Sequence, residues 1–181
     1  MYLFQCINIE MVMARAEQKL MDLANTDKCL IYLVDPDCGN LVRYDVGQNM
    51  KVFDSNIGII GESLKTGCQI ITPKPNIDPI YNNKVDLDTQ LSLLTIPVRS
   101  EEFNKIIAVL QIIDLHASIS KSLGKTSSFE MEILNFFIQI FTICIENTLK
   151  IKKKIDEIMD CEAEKDNKKK NQKRMSVGGI N

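Results

Sequence analysis

The 181-residue sequence has no tryptophan and a single histidine, His116. Histidine is the usual general base and the commonest metal ligand in proteins. None of the six cysteines forms a C-x-x-C pair, so the spacing of a zinc cage is missing. We therefore predict no catalytic centre built on several histidines, no metal site and no cofactor.

Strong charge and long apolar runs are also missing. The net charge is −2, which gives no general attraction for nucleic acid. No uninterrupted apolar run reaches the ~18 residues typical of a membrane span, and residues 1–6 lack the basic start of a secretory signal. The cysteines fit reduced thiols. We predict a cytoplasmic protein without a nucleic-acid partner or a membrane span.

Periodicity predicts two terminal helices, over 7–24 and 129–154. Their apolar stripes are wider than one sheet face needs. The predicted buried stripe of the second helix comprises Phe136, Phe137, Ile140, Phe141, Cys144, Ile145, Thr148 and Leu149. Between them, strand-like runs are predicted at 29–34, 41–46, 50–53, 68–72, 93–98 and 106–113. This order predicts an α+β fold: a six-stranded antiparallel sheet with the N- and C-terminal helices on one face and a lid-covered pocket on the other.

The middle of the chain carries two features of a binding site. Gly58 and Gly61 open a predicted short helix, where they could cradle a phosphate, although tight packing of the helix on the sheet is the favoured explanation. The polar, proline-containing segment 73–90 is too long for a simple connection, and loops of this kind are often binding lids.

Residues 10–150 resemble a GAF domain, particularly the regulatory GAF domains of cyclic-nucleotide phosphodiesterases. The order and spacing of several short segments carry this resemblance: Gly58-Ile-Ile-Gly61, Lys65-Thr-Gly67, Asp78-Pro79, Tyr81-Asn82, Asp86, Ser92-Leu-Leu94, Ile96-Pro-Val98, Ala108-Val-Leu-Gln111 and Ile145-Glu-Asn147. The resemblance implies a small-molecule pocket on one sheet face and terminal helices that commonly dimerise.

The candidate site residues follow from this resemblance and from the helical stripes. The candidate pocket residues are Ile57, Gly58, Gly61, Asp78, Asp86, Thr89 and Leu93. The candidate partner interface, for a homodimer or another protein, comprises Ile9, Val12, Met13, Ala16, Phe141, Ile145, Ile151 and Ile155.

The sequence departs from the family members that bind cyclic nucleotides. Their Asn-Lys pair falls on Asp114-Leu115, so the lysine of a buried ion pair is missing, with Glu130 near the aligned acidic position. We predict that the chain binds neither cyclic AMP nor cyclic GMP at physiological concentration. The cysteine spacing does not suggest the chemistry of free methionine sulfoxide reductases, which are enzymatic relatives of this family. We predict no enzymatic activity.

The chain divides into an N-terminal extension (1–6), the GAF domain (7–150), a helical linker (151–161) and a charged tail (162–181) that we expect to be disordered. The residues around Ser176 resemble a basophilic kinase site, which makes Ser176 a candidate phosphorylation site.

Two functions remain open at this point. One is a non-catalytic interaction module or regulatory subunit of a larger assembly, docking through its terminal helices. The alternative is a ligand-gated sensor that binds a cyclic nucleotide or another small molecule, such as the regulatory part of a phosphodiesterase.

Overall fold

A computed structural model describes residues 9–45, 50–113 and 132–151, together with 153–154 and 157–158. Three helices and six strands lie in these residues: α1 (Ile9–Ala24), β1 (Cys29–Val34), β2 (Leu41–Arg43), β3 (Lys51–Phe53), α2 (Gly58–Thr66), β4 (Ile70–Thr72), β5 (Leu93–Ser100), β6 (Lys105–Ile113) and α3 (Glu132–Ile151). A short 3-10 turn, Pro75–Ile77, follows β4. Residues 1–8, Ser176 and the rest of the predicted tail lie outside the described residues.

The strands form one antiparallel sheet in the order β3-β2-β1-β6-β5-β4. The predicted α+β fold with a six-stranded antiparallel sheet is confirmed. The two central strands, β1 and β6, are almost wholly buried because the sheet is covered on both faces.

One face of the sheet carries α1 and α3. The apolar side chains between these helices and the sheet form the helix-side core: Met13, Ala16, Leu20, Ala24, Cys29, Ile31, Leu33, Leu94, Ile96, Val98, Ile107, Ala108, Leu110, Ile112, Leu134, Phe141 and Ile145. Alternation along the strands sends the intervening side chains to the other face.

The opposite face carries α2 and the segment 73–90, here called the lid loop. Its apolar side chains form the lid-side core: Leu30, Tyr32, Leu41, Ile59, Ile60, Val85, Leu87, Leu93, Val109 and Ile113. Two residues of the lid loop, Val85 and Leu87, are therefore part of the packed interior.

Strand β2 is shorter than predicted and ends at Arg43. Beyond this point the Glu17 carboxylate accepts a hydrogen bond from the Ile31 amide of β1 at 3.0 Å. Asp45 instead forms ion pairs with Arg43 (2.8 Å) and Lys51 (2.7 Å). Glu17 of α1 thus bonds to the Ile31 amide, a donor that a longer β2 would have used.

Candidate functional site

The lid loop is held against α2 by Asp86, whose side chain is 4% exposed. Its Oδ2 accepts hydrogen bonds from the amides of Ile59 (2.9 Å) and Asn82 (2.9 Å). Its Oδ1 accepts them from the amide of Ile60 (3.1 Å) and from Nε2 of Gln111 (2.9 Å). The amides at the start of a helix attract anions. Here the chain's own carboxylate occupies that position.

The two glycines of α2 permit this close contact. A Cβ on Gly58, whose φ is +77°, would lie 2.5 Å from Oδ2 of Asp86 and 2.6 Å from Cγ2 of Val85. A Cβ on Gly61 would lie 2.8 Å from the backbone carbon of Asn56. The glycines thus allow close packing of α2 against the lid loop and against the segment before the helix, whereas the sequence predicted close packing on the sheet.

Two further polar residues attach the lid loop to the sheet. Tyr32 of β1 donates its hydroxyl proton to the carbonyl of Val85 at 2.7 Å, and burial raises its pKa to about 12, so it remains a donor at neutral pH. Oε1 of Gln111 accepts the amide of Leu87 at 2.8 Å. The backbone groups of Val85 and Leu87, in the buried part of the loop, are therefore bonded from within the chain, as buried polar groups normally are.

Beside the lid anchor lies an open cleft of about 580 Å³, lined by Met21, Asp27, Lys28, Cys29, Leu30, Tyr32, Arg43, Lys51, Phe53 and residues 83–88. Its charged groups have both signs, so they do not select one ligand charge. A smaller depression of about 230 Å³ adjoins it and is lined by residues 25–28, Asp88, Thr89, Leu91 and Ile113.

The predicted pocket residues do not come together around this cleft. Asp86 lines it through the network described above, and Thr89 lines the smaller depression. The other five residues line neither space. Leu93 is in the lid-side core with Ile57 packed against it, and Asp78 accepts the amide of Ile80 in a surface turn at 2.9 Å.

The thiol that lines the cleft belongs to Cys29. Burial raises its pKa to about 12, and its Sγ donates to the carbonyl of Glu17 at 3.3 Å. A thiol in this state is protonated at neutral pH, whereas the thiolate is the reactive form. Cys38, Cys68 and Cys144 are exposed and are not in disulfides within the described residues. No group of His, Cys, Asp and Glu suited to a metal ion occurs in the described residues.

The predicted partner interface needs correction. Met13, Ala16, Phe141 and Ile145 are buried in the helix-side core, and Ile9 and Val12 pack against it. The shared apolar periodicity of these residues marks the side facing the sheet, so they cannot form an outer docking surface. Ile151 is exposed, and Ile155 lies outside the described residues.

A second apolar stripe lies on the opposite side of α3. Its exposed members are Phe136, Ile140, Ile143, Ile151 and Ile158, and we call this surface the outer face of α3. Phe136 and Ile140 are 63% and 46% exposed, which corrects the prediction that they are buried, and Cys144 is exposed too. The helix has more apolar positions than the sheet covers.

By length and composition alone, Glu132–Ile151 could also cross a membrane. Its inner side, however, contributes Leu134, Phe141 and Ile145 to the helix-side core. Two contacts attach its second half to the β5–β6 turn: Ser100 donates to Glu146, and Lys150 pairs with Glu102 at 2.6 Å. We therefore describe α3 as a packed helix of the domain.

Sequence reasoning did not assign Tyr32 and Gln111 to the site. Gln111 offered a signal, because it is a polar residue inside the apolar run Ile106–Ile113. A buried side-chain amide needs hydrogen-bond partners. The sequence could not show that these partners come from the lid loop.

Comparison with known proteins defines the class of fold. No family model and no curated protein matches the chain. Among solved structures, the GAF domain of a Bacillus halodurans two-component sensor histidine kinase has a TM-score of 0.57 and 18% identity, covering 81% of this chain and 99% of that one. A GAF domain/HD domain protein from Geobacter sulfurreducens has a TM-score of 0.57 and 13% identity, covering 82% and 99%.

A free methionine-R-sulfoxide reductase from Neisseria meningitidis, solved with its substrate, is similar too: TM-score 0.57, 16% identity, covering 82% of this chain and 84% of the reductase. Sensor domains and an enzyme thus share this architecture. The six-stranded sheet between two helical layers is the GAF fold.

Proposed function

We propose that this chain is a non-catalytic regulatory module that acts by docking a protein on the outer face of α3. The observation that carries the proposal is the exposure of large apolar side chains along this helix, with Phe136 at 63%, Ile143 at 56% and Ile158 at 60%. A contiguous apolar patch of this kind on a folded domain commonly marks an interaction site.

The neighbouring helix provides an internal comparison. The outward positions of α1 include Arg15, Gln18, Lys19 and Asp22, and Asp22 bonds with both Gln18 and Lys19. Both helices cover the same sheet face, yet α1 turns a mainly polar side outwards. Met11 and Leu23 are the exposed large apolar side chains of α1, whereas α3 exposes Phe136, Ile140, Ile143 and Ile151. Of the two helices, α3 therefore has the larger apolar outer surface, which favours it as the docking element.

The lid side supports a role without a ligand. The start of α2, where an anionic ligand could bind, is filled by Asp86, and the lid loop contributes Val85 and Leu87 to the core. A ligand under the lid would have to displace these contacts. Leu115 and Glu130, which underlie the predicted loss of cyclic-nucleotide binding, lie outside the described residues, so that prediction stands on the sequence.

The state of Cys29 supports a non-catalytic role. Since its thiol is protonated at neutral pH, Cys29 is a poor nucleophile in the cleft. We further propose a cytoplasmic location, with which the lack of disulfides at Cys29, Cys38, Cys68 and Cys144 agrees.

The open cleft favours one alternative, a ligand-gated sensor. Its volume of about 580 Å³ suits a small molecule, and its charged groups of both signs could bind polar groups of such a ligand. Such a ligand would have to bind beside the lid loop rather than beneath it.

The test compares two variants of the full chain in cells of its source. Ile140→Asp with Ile143→Asp places charge on the outer face of α3, whereas Leu23→Asp does so on α1, where Leu23 is 47% exposed. We expect both to keep the wild-type unfolding midpoint and only the α3 variant to lose its co-purifying protein. Retention of all partners by the α3 variant would refute the proposal, and micromolar binding of a small molecule that changes partner binding would favour the sensor.

A further inference from the structure

Strand β1 loses its partner on one side halfway along its length. It pairs with β6 from Cys29 to Leu33, whereas the described residues of β2 pair with it only at Leu33 and Val34. The open cleft lies along the part of β1 that β2 leaves unpaired, since residues of both strands line it. The cleft is thus a gap between two neighbouring strands as well as a space beside the lid loop.

The hydrogen bonds of the β1–β2 ladder identify the contact that is missing. In an antiparallel pair, the hydrogen-bonded positions recur at every second residue. The amide of Asp35 donates to the carbonyl of Asn40 at 2.8 Å, which fixes one such position. Two steps further along the ladder, in its observed register, Ile31 stands opposite Tyr44. A ladder that continued to this point would exchange two backbone hydrogen bonds between these residues.

Glu17 of α1 takes the place of the missing backbone acceptor. Its carboxylate accepts the amide of Ile31 at 3.0 Å. Its backbone carbonyl accepts a hydrogen bond from Sγ of Cys29 at 3.3 Å, so Glu17 is attached to β1 at two points. Because the carboxylate fills the position that the carbonyl of Tyr44 would occupy, it acts as a wedge between β1 and β2.

Tyr44 is already oriented for pairing with β1. Its side chain packs against the helix-side core, to which Ile31 also belongs, and opposite residues of a ladder point to the same face. Arg43 and Asp45 lie on either side of it in the sequence and form an ion pair at 2.8 Å, as same-face neighbours in a strand can. Pairing therefore requires a sideways movement of β2 and β3 but no change of face or register.

We propose that Glu17 is the wedge of a two-position switch that opens and closes this cleft. In the open position, which the structure shows, Glu17 bonds to the Ile31 amide. In the closed position the carboxylate withdraws into solvent, Ile31 pairs with Tyr44, and β2 and β3 move against residues 29–32. The change exchanges one hydrogen bond to a carboxylate for two backbone hydrogen bonds.

The switch couples α1 to the cleft, because the wedge is a residue of α1. A molecule bound in the cleft keeps β2 away from β1 and so favours the position in which Glu17 bonds to Ile31. A partner that displaces α1 withdraws Glu17 and favours closure, and linkage makes the two effects equal in size. The switch does not rest on the docking face of α3, so either proposal can fail without the other.

NMR of the full chain tests the switch with two variants of Glu17. Glu17→Ala removes the acceptor, whereas Glu17→Gln keeps an acceptor oxygen and is the matched control. In the closed position, Leu30 and Asp45 form a non-hydrogen-bonded pair with Cα atoms about 4.5 Å apart. We expect a nuclear Overhauser effect between their α-protons in Glu17→Ala, and solvent exchange of the Tyr44 amide slowed about tenfold. The wild type and Glu17→Gln should show neither change.

Glu17→Leu provides a second variant if Glu17→Ala does not fold, because leucine keeps the bulk of the side chain without an acceptor. A folded Glu17→Ala or Glu17→Leu chain that lacks the Leu30–Asp45 contact would overturn the inference, since the strands would then stay apart without the wedge. The same contact in the wild type or in Glu17→Gln would also overturn it, because the acceptor of Glu17 would then not hold the cleft open.

Discussion

The two faces of the sheet are covered in two different ways. The helix side is held by apolar stripes on α1 and α3, and α3 still presents apolar side chains to the outside. The lid side is also apolar, but the lid loop depends on three polar side chains, Tyr32, Asp86 and Gln111. On the lid side the chain's own side chains fill the space beneath the loop and leave an open cleft beside it, whereas the helix side leaves an apolar surface for a partner. This difference favours a role through contacts on the outside.

Among the substitutions that test this difference between the two faces, Asp86→Ala is expected to lower the free energy of unfolding most. It removes the acceptor of the Ile59, Ile60 and Asn82 amides and leaves buried donors without partners. Each unsatisfied buried group costs about 1–3 kcal/mol, so we expect a loss of at least ~3 kcal/mol of unfolding free energy. Hydrogen exchange should also accelerate at these amides, ahead of the helix-side core.

Asp78→Ala is the matched control within the lid loop, because the Asp78 carboxylate accepts the amide of Ile80 in a surface turn. We expect a loss below ~1 kcal/mol. Equal losses for the two variants in urea unfolding would show that Asp86 does not anchor the loop.

Gly58→Ala should cause the next largest loss of unfolding free energy. A Cβ at this position meets Asp86 and Val85 at 2.5 and 2.6 Å, in addition to the strain of φ +77°. Gly67→Ala is the control, since Gly67 has φ +67° but nothing within 4 Å of its Cβ. We expect about 1–2 kcal/mol for Gly67→Ala and at least ~1 kcal/mol more for Gly58→Ala. Equal losses in thermal unfolding would mean that close packing on Asp86 adds nothing.

Much of the fold could be predicted from the sequence, because the helices and strands follow local periodicity. The predicted ranges of β1 and β6 agree with Cys29–Val34 and Lys105–Ile113 to within one residue. The lid anchor could not be predicted, since Asp86 and its partner Gln111 are 25 residues apart and join only after the chain folds. The buried residues of α3 were predicted wrongly in part for another reason. Apolar residues occur on both sides of this helix, and periodicity alone does not say which side meets the sheet.

The smallest change in unfolding free energy is expected on the helix side, at Glu17. Its carboxylate accepts a hydrogen bond from the Ile31 amide. Burial raises the pKa of the Glu17 carboxyl, while the Ile31 hydrogen bond and Arg43 oppose this rise. The stability that this group contributes is therefore fully present below the unfolded pKa of ~4.3 and is lost as the pH rises through the folded pKa.

Glu17→Gln keeps an acceptor oxygen without the charge. We expect it to raise the unfolding free energy at pH 7 by up to ~1 kcal/mol, and the gain to disappear near pH 4. Denaturant unfolding at both pH values checks this, with Glu101→Gln on the exposed β5–β6 turn as the control. A variant less stable than the wild type at pH 7 would show that attraction to Arg43 outweighs the cost of burial.

The most direct test of the whole account is one set of isoleucine methyl NMR spectra of the full chain, recorded on addition of its co-purifying protein and, separately, of cyclic AMP and cyclic GMP. Ile140, Ile143, Ile151 and Ile158 report on the outer face of α3, and Ile59, Ile60 and Ile113 report on the lid side. The account predicts shifts of the outer-face methyls with the co-purifying protein, and unchanged lid-side methyls with either nucleotide at about 100 μM. Lid-side shifts with a nucleotide, while the outer-face methyls stay constant with the co-purifying protein, would contradict it.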